Sequence, residues 1–143
     1  MADTALGFRF RYRLSTPAMA TIQTLTIKDT ETLTKGDLVN LETGEIDLAA
    51  TSDANLVGVV LETKAGTDST TTYRVITDAD AVYGVYDANA RAIGATLDIA
   101  GATGAQTVAA SSNKEFIVVA SSAADEETLV MINNDAHFMA KAQ

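Results

Sequence analysis

Histidine most readily carries a proton or a transition metal near neutral pH, and this 143-residue chain holds one, His137, in the run Asn134-Asp135-Ala136-His137-Phe138. A lone imidazole has no second histidine with which to share a metal and no motif serine beside it, so His137 is expected to be exposed or to face a partner. Cysteine is absent, which removes disulfides, thiolate nucleophiles and thiolate metal ligands together. Asp78-Ala79-Asp80 has the oxygen density a hard cation wants. Val82 and Tyr83, however, stand where a calcium loop needs an oxygen ligand and then a glycine, and no glutamate closes the run. A solvated turn is expected there. Asp125-Glu126-Glu127 reads as a charged turn or the first turn of a short helix, where the backbone dipole favours carboxylates.

The 19 acidic residues would allow a carboxylate pair for glycoside hydrolysis, but sugar sites usually need aromatic platforms and tryptophan is missing. Gly36, Gly44 and Gly58 stand singly, so no phosphate-cradling loop is present. The expectation is a protein that is not an enzyme, with no catalytic residue, no metal and no cofactor.

The segment with the most pronounced chemistry is the first one. Leu6 to Leu14 reads Leu-Gly-Phe-Arg-Phe-Arg-Tyr-Arg-Leu, with Phe8, Phe10, Tyr12 and Leu14 alternating with Arg9, Arg11 and Arg13. Period two marks an extended strand with one apolar and one cationic face. The first 14 positions carry 3 basic and 1 acidic residue, net +2, leaving 7 basic and 18 acidic, net -11, for the rest. Aromatics bury large areas and arginine binds carboxylates in a fork, so this is the composition of an interface. Two placements compete: a first strand whose aromatics enter the domain's own core while its arginines pair with the acidic body, or an arm reaching a neighbouring subunit. Pro17 and the scarcity of aromatics elsewhere favour the arm, with Phe8, Arg9, Phe10, Arg11, Tyr12, Arg13 and Leu14 as its binding residues.

The remaining elements are short. Candidate strands run over Thr21 to Lys28, Asp37 to Leu41, Glu45 to Ala49, Leu56 to Thr63, Thr70 to Thr77, Ala81 to Asp87, Thr96 to Ile99, Gln106 to Ala109, Glu115 to Ala120 and Thr128 to Asn133. Glu42-Thr43-Gly44 makes the second and third of these a hairpin, and Gly58 marks a bulge or a close backbone approach. Asp87 to Arg91 and Ser122 to Glu127 each have room for one helical turn. Such strands, with turn residues between them, predict an all-β fold, a small β-barrel or sandwich with an extended N-terminal arm. The boundaries are residues 1 to 20 for the arm and 21 to 143 for the body. With 25 Ala and 20 Thr, each residue buries little area, and self-association would supplement a thin core.

A net charge of -9 repels phosphate backbones and anionic headgroups, so neither nucleic acid nor membrane is an expected partner. No apolar run approaches the length of a bilayer span and the first residues lack a secretory pattern, which predicts synthesis in a cytoplasm.

From Leu33 to Glu62 a more specific pattern emerges: Leu-Thr-Lys-Gly-Asp-Leu-Val-Asn-Leu, a glycine turn into Glu45-Ile-Asp-Leu-Ala, then Leu56-Val-Gly-Val-Val-Leu-Glu. It resembles the head decoration (cement) proteins of tailed bacteriophages, with Ile93-Gly-Ala-Thr-Leu-Asp-Ile and Phe116-Ile-Val-Val in keeping with such domains. The resemblance implies a structural virion protein on the outer surface of the capsid, binding the major capsid protein, commonly as a trimer, through an N-terminal segment. The strongly alternating first strand matches no motif of that family. A carbohydrate-binding or adhesin domain is the alternative, with Tyr73, Tyr83 or Tyr86 as its platform.

Overall fold

The computed structural model describes residues 7–28, 32–50, 55–65, 71–87, 89–101, 104–110, 114–122, 124–133 and 136–137. Thirteen strands and no helix are present among them. In chain order they are β1 (Phe8–Arg13), β2 (Ile22–Thr26), β3 (Thr32–Leu33), β4 (Leu38–Glu42), β5 (Glu45–Leu48), β6 (Leu56–Val59), β7 (Lys64–Ala65), β8 (Thr72–Ile76), β9 (Ala81–Tyr86), β10 (Thr96–Ala100), β11 (Thr107–Ala110), β12 (Phe116–Ser122) and β13 (Glu127–Ile132). The two segments with room for a helical turn do not use it. Ser122 and Glu127 pair across a tight β12–β13 hairpin, and Asp87 accepts the Asn89 amide in an irregular connection. Strands β3 and β7, which pair with each other, lie outside the candidate strands read from the sequence.

A six-stranded antiparallel sheet runs β1-β9-β13-β12-β10-β11, and a three-stranded one β5-β4-β6. The β4–β5 turn places both Thr43 and Gly44 at positive φ, 48° and 85°, the geometry whose twist matches a two-residue hairpin. Single bridges, Val60 to Val75 and Ile27 to Ile46, tie the β2-β8 pair to the three-stranded sheet. The six-stranded sheet curls until the Gly7 amide donates to Gln106 O at 2.9 Å, bringing its edge strands together at one end. Among the described residues no continuous ladder closes, so the all-β fold is an open, sandwich-like packing of sheets rather than a closed barrel.

Two apolar clusters result. The first gathers Phe8, Tyr83, Leu97, Phe116, Val118 and Val130 from the six-stranded sheet with Leu38, Leu56, Val59 and Ile76. The second holds Ile27, Leu33, Val39, Ile46, Val57, Val60, Tyr73 and Val75. Strands β4, β6 and β8 divide the two: Leu38 faces one cluster and Val39 the other, as do Leu56 and Val57. Burial on both faces is why Leu56 to Val60 is a continuous apolar run instead of an alternating one. Gly58 has the close approach expected of it, because a Cβ there would stand 1.9 Å from Ile76 O. The ladder also shifts register at this point, pairing Val39 with Gly58 but Asn40 with Leu56.

The N-terminal segment is not separate from the body, which corrects the division at residue 20. Strand β1 is hydrogen-bonded along β9, and the Phe8 ring packs on Phe116 with centroids 5.1 Å apart. The physical reason is coverage: without β1, β9 would be an open edge and Phe8 would leave the first cluster unfilled. Residues 1 to 6 of the expected arm lie outside the described residues.

Candidate functional site

Within β1 the strict alternation of the sequence is broken by a bulge. Phe10 pairs with Tyr83 and Tyr12 with Val82, so Arg11 is the extra residue. Before it, Phe8 is buried and Phe10 packs partly against the first cluster. After it, the expected apolar face turns to solvent, with Tyr12 41 % and Leu14 53 % exposed. A bulge shifts the side-chain phase by one residue, and that phase shift separates a core half of β1 from a surface half.

The arginines are held by the acidic body. Glu127 accepts from Arg9 Nη2 at 3.3 Å and from Arg11 Nη2 at 3.0 Å. It reaches both over Gly84, where a Cβ would meet Glu127 Oε2 at 2.4 Å. Arg13 Nε donates to Asp80 Oδ1 at 2.9 Å, with Asp78 Oδ1 3.5 Å from Nη2. Asp80 also accepts from the Ser15 hydroxyl and amide, and Asp78 Oδ2 accepts the Thr21 amide at 2.6 Å. The Asp78–Asp80 pair is therefore not a solvated turn but the clamp that fixes residues 13 to 21. Burial pushes the Asp80 carboxyl up, but the Ser15 and Arg13 hydrogen bonds outweigh it and hold the group below its ordinary value.

Beyond the clamp the chain presents apolar side chains outward. Met19 is 88 % and Ile22 49 % exposed, and residues Phe10 to Met19 line an open groove of about 590 Å³. Of the five large hydrophobics exposed among the described residues, Tyr12, Leu14, Met19 and Ile22 lie in this one stretch; Ile93 is the fifth. Met19 and Ile22 escape a reading by periodicity because nothing in a short Pro-Ala-Met-Ala run tells which side is covered.

The Lys35-Gly36-Asp37 loop supports β1 from the other side. Gly36 O accepts the Phe8 amide at 2.8 Å, at a positive φ of 96° that favours glycine. Buried Asp37 accepts the Thr34 and Gly104 amides, each at 2.8 Å. Buried Gln106 bonds Leu38 N and the carbonyls of Leu38 and Ala49. The familiar-looking turn thus serves as the socket for the first strand.

No known family's sequence model matches the chain, and no curated protein matches it. Its geometry carries the functional reading. His137 is fully buried, a correction to the expectation of an exposed or partner-facing residue: residues 136 and 137 lie along β6, with the Leu56 amide donating to Ala136 O at 2.8 Å. Burial pushes the imidazole pKa below its ordinary value, against the opposing pull of backbone hydrogen bonds at Val57 and Thr77. Tyr73 and Tyr83 are also fully buried, so two of the three tyrosines that a sugar platform would use are core residues. Among the described residues no three His, Asp or Glu side chains cluster as metal ligands would.

Proposed function

We propose that the protein is a capsid decoration protein of a tailed bacteriophage. It binds the outer surface of an assembled shell and stabilises it by bridging major capsid protein subunits, acting as a homo-oligomer, a trimer, without catalysis. The observation that carries this reading is the exposed apolar strip Tyr12, Leu14, Met19 and Ile22 beside an open groove, because exposed apolar side chains gathered in one place mark interaction surfaces. The resemblance of Leu33 to Glu62 to decoration proteins supports the choice of partner. Covering the strip on a shell removes apolar area from water at about 25 cal/mol per Å². Binding that exists only on the assembled shell then stabilises the assembly by mass action.

The interface role passes from the whole segment Phe8 to Leu14 to its surface half. Phe8 acts through the core, while Arg9, Arg11 and Arg13 set the pose of the strand. Tyr12, Leu14 and Met19 make the contact. The test is co-sedimentation with shells assembled from the major capsid protein of the same genome. The wild-type protein is expected in the pellet, and the double variant Leu14→Glu, Met19→Glu in the supernatant with an unchanged melting temperature. A wild-type protein that stays in the supernatant at all concentrations sinks the reading.

A further inference from the structure

The edge of β1 turned away from β9 is open at Phe10. Phe8 donates its amide to Gly36 O, away from β9, and main-chain groups alternate along an antiparallel ladder. Arg9 therefore faces β9, and the N–H and C=O of Phe10 face outward, with no hydrogen-bond partner among the described residues. They open onto a second groove, of about 470 Å³, walled by Phe8, Phe10, Val59, Val60 and Leu61. At its rim stand Arg9, which Glu127 engages, and exposed Lys35, whose ammonium has no ion pair among the described residues.

An unpaired strand edge over an apolar groove is the arrangement that adds an extended peptide as a further strand. The charge at the rim selects which peptide. A cationic rim on a protein of net charge -9 favours a segment that carries carboxylates, since like charges placed opposite each other are destabilising. The same rule disfavours a second copy: two β1 strands paired antiparallel about Phe10 would set Arg9 of each against Arg11 of the other. We propose that this edge binds an extended acidic segment of another protein, hydrogen-bonded to Phe10 and alternating apolar side chains into the groove with carboxylates toward Lys35. The proposal goes beyond the shell reading and holds whether or not that partner is a shell subunit.

The test uses the purified full-length protein and two capped synthetic octapeptides, one alternating valine with glutamate and one valine with lysine. With the glutamate peptide, the amide resonances of Phe10, Lys35 and Leu61 are expected to shift, and exchange of the Phe10 amide to slow about tenfold. Lys35→Glu is expected to weaken binding about fivefold, as reversal of an exposed charge pair does. Leu61→Glu, which keeps the rim lysine and fills the groove with charge, is expected to abolish binding while the melting curve shows an intact fold. Equal binding of the two peptides, no binding at millimolar peptide, or shifts confined to residues outside the groove would overturn the proposal. So would protection of the Phe10 amide that grows with protein concentration alone, which would show a second copy at the edge.

Discussion

At the scale of the residue, two glycines make room for close neighbours, one rigid and one flexible. Gly58 lies so close to Ile76 O and the Tyr83 hydroxyl that an added methyl group has nowhere to go without moving the backbone of β8. Gly84 makes room for a flexible partner, the Glu127 carboxylate, which can swing aside. Gly58→Ala is therefore expected to cost about 3 kcal/mol or more, at the upper end of overpacking effects, and Gly84→Ala about 1 kcal/mol, mainly through loss of the Arg9 and Arg11 pairs. Urea unfolding of the two variants checks the order, and a larger loss for Gly84→Ala would contradict it. The special position of Gly58 is legible in the sequence as a glycine between valines; that of Gly84 is not, because Glu127 is 43 residues away in the chain (127 − 84).

At the scale of the element, β1 has two halves with different duties. Phe8 and the ladder to β9 belong to the fold, while Tyr12 and Leu14, past the bulge, belong to the surface. Phe8→Ala is expected to cost about 3–5 kcal/mol by leaving a cavity beside Phe116, and removal of residues 1 to 13 to cost at least as much by opening the edge of β9. Leu14→Ala is expected to stay within about 0.5 kcal/mol of wild type, as exposed substitutions do. Thermal melts of the three proteins decide it: a truncated protein as stable as wild type would restore the separable arm that Pro17 and the scarcity of aromatics elsewhere favour. The alternating pattern correctly marks a strand, but its aromatic face holds only from Phe8 to Phe10. It carries no sign of the bulge at Arg11, which shows only in the register of β1 against β9.

At the scale of the whole molecule, acid should loosen the fold in two stages. The folded-state pKa of His137 is depressed below its ordinary value of 6.5, so the unfolded chain binds more protons just below that pH. Stability is full above pH 6.5 and falls as the pH drops from there toward the folded pKa, at most about 1.4 kcal/mol per unit for one group. Asp80 and Asp87 are depressed below 3.8. For both, burial acts upward, and hydrogen bonds, from Ser15 and Arg13 to Asp80 and from Arg91, Asn89 and Thr128 to Asp87, prevail. Their contribution is present above 3.8 and is lost as the pH falls through their folded values. Denaturation midpoints measured from pH 7.5 to 3 should show both slopes, and His137→Asn should flatten the upper one alone. An unchanged upper slope in that variant would assign the first stage to another group.

By itself the sequence determines the all-β class, ten of the strands to within a few residues of their ends, the hairpin at Thr43-Gly44 and the acidic body with its cationic first strand. Each of these is a local property, set by period-two alternation, turn residues and composition within a short window. Only the tertiary structure decides that Phe8 is core, that Tyr12 and Leu14 are surface, that the lone histidine is buried and that two aspartates clamp residues 13 to 21. Those outcomes depend on partners far apart in the chain, such as Arg9 and Glu127, 118 residues apart. A repeating pattern states which side chains share a face, but what covers that face is fixed by which strands meet, and long-range pairing leaves no local mark.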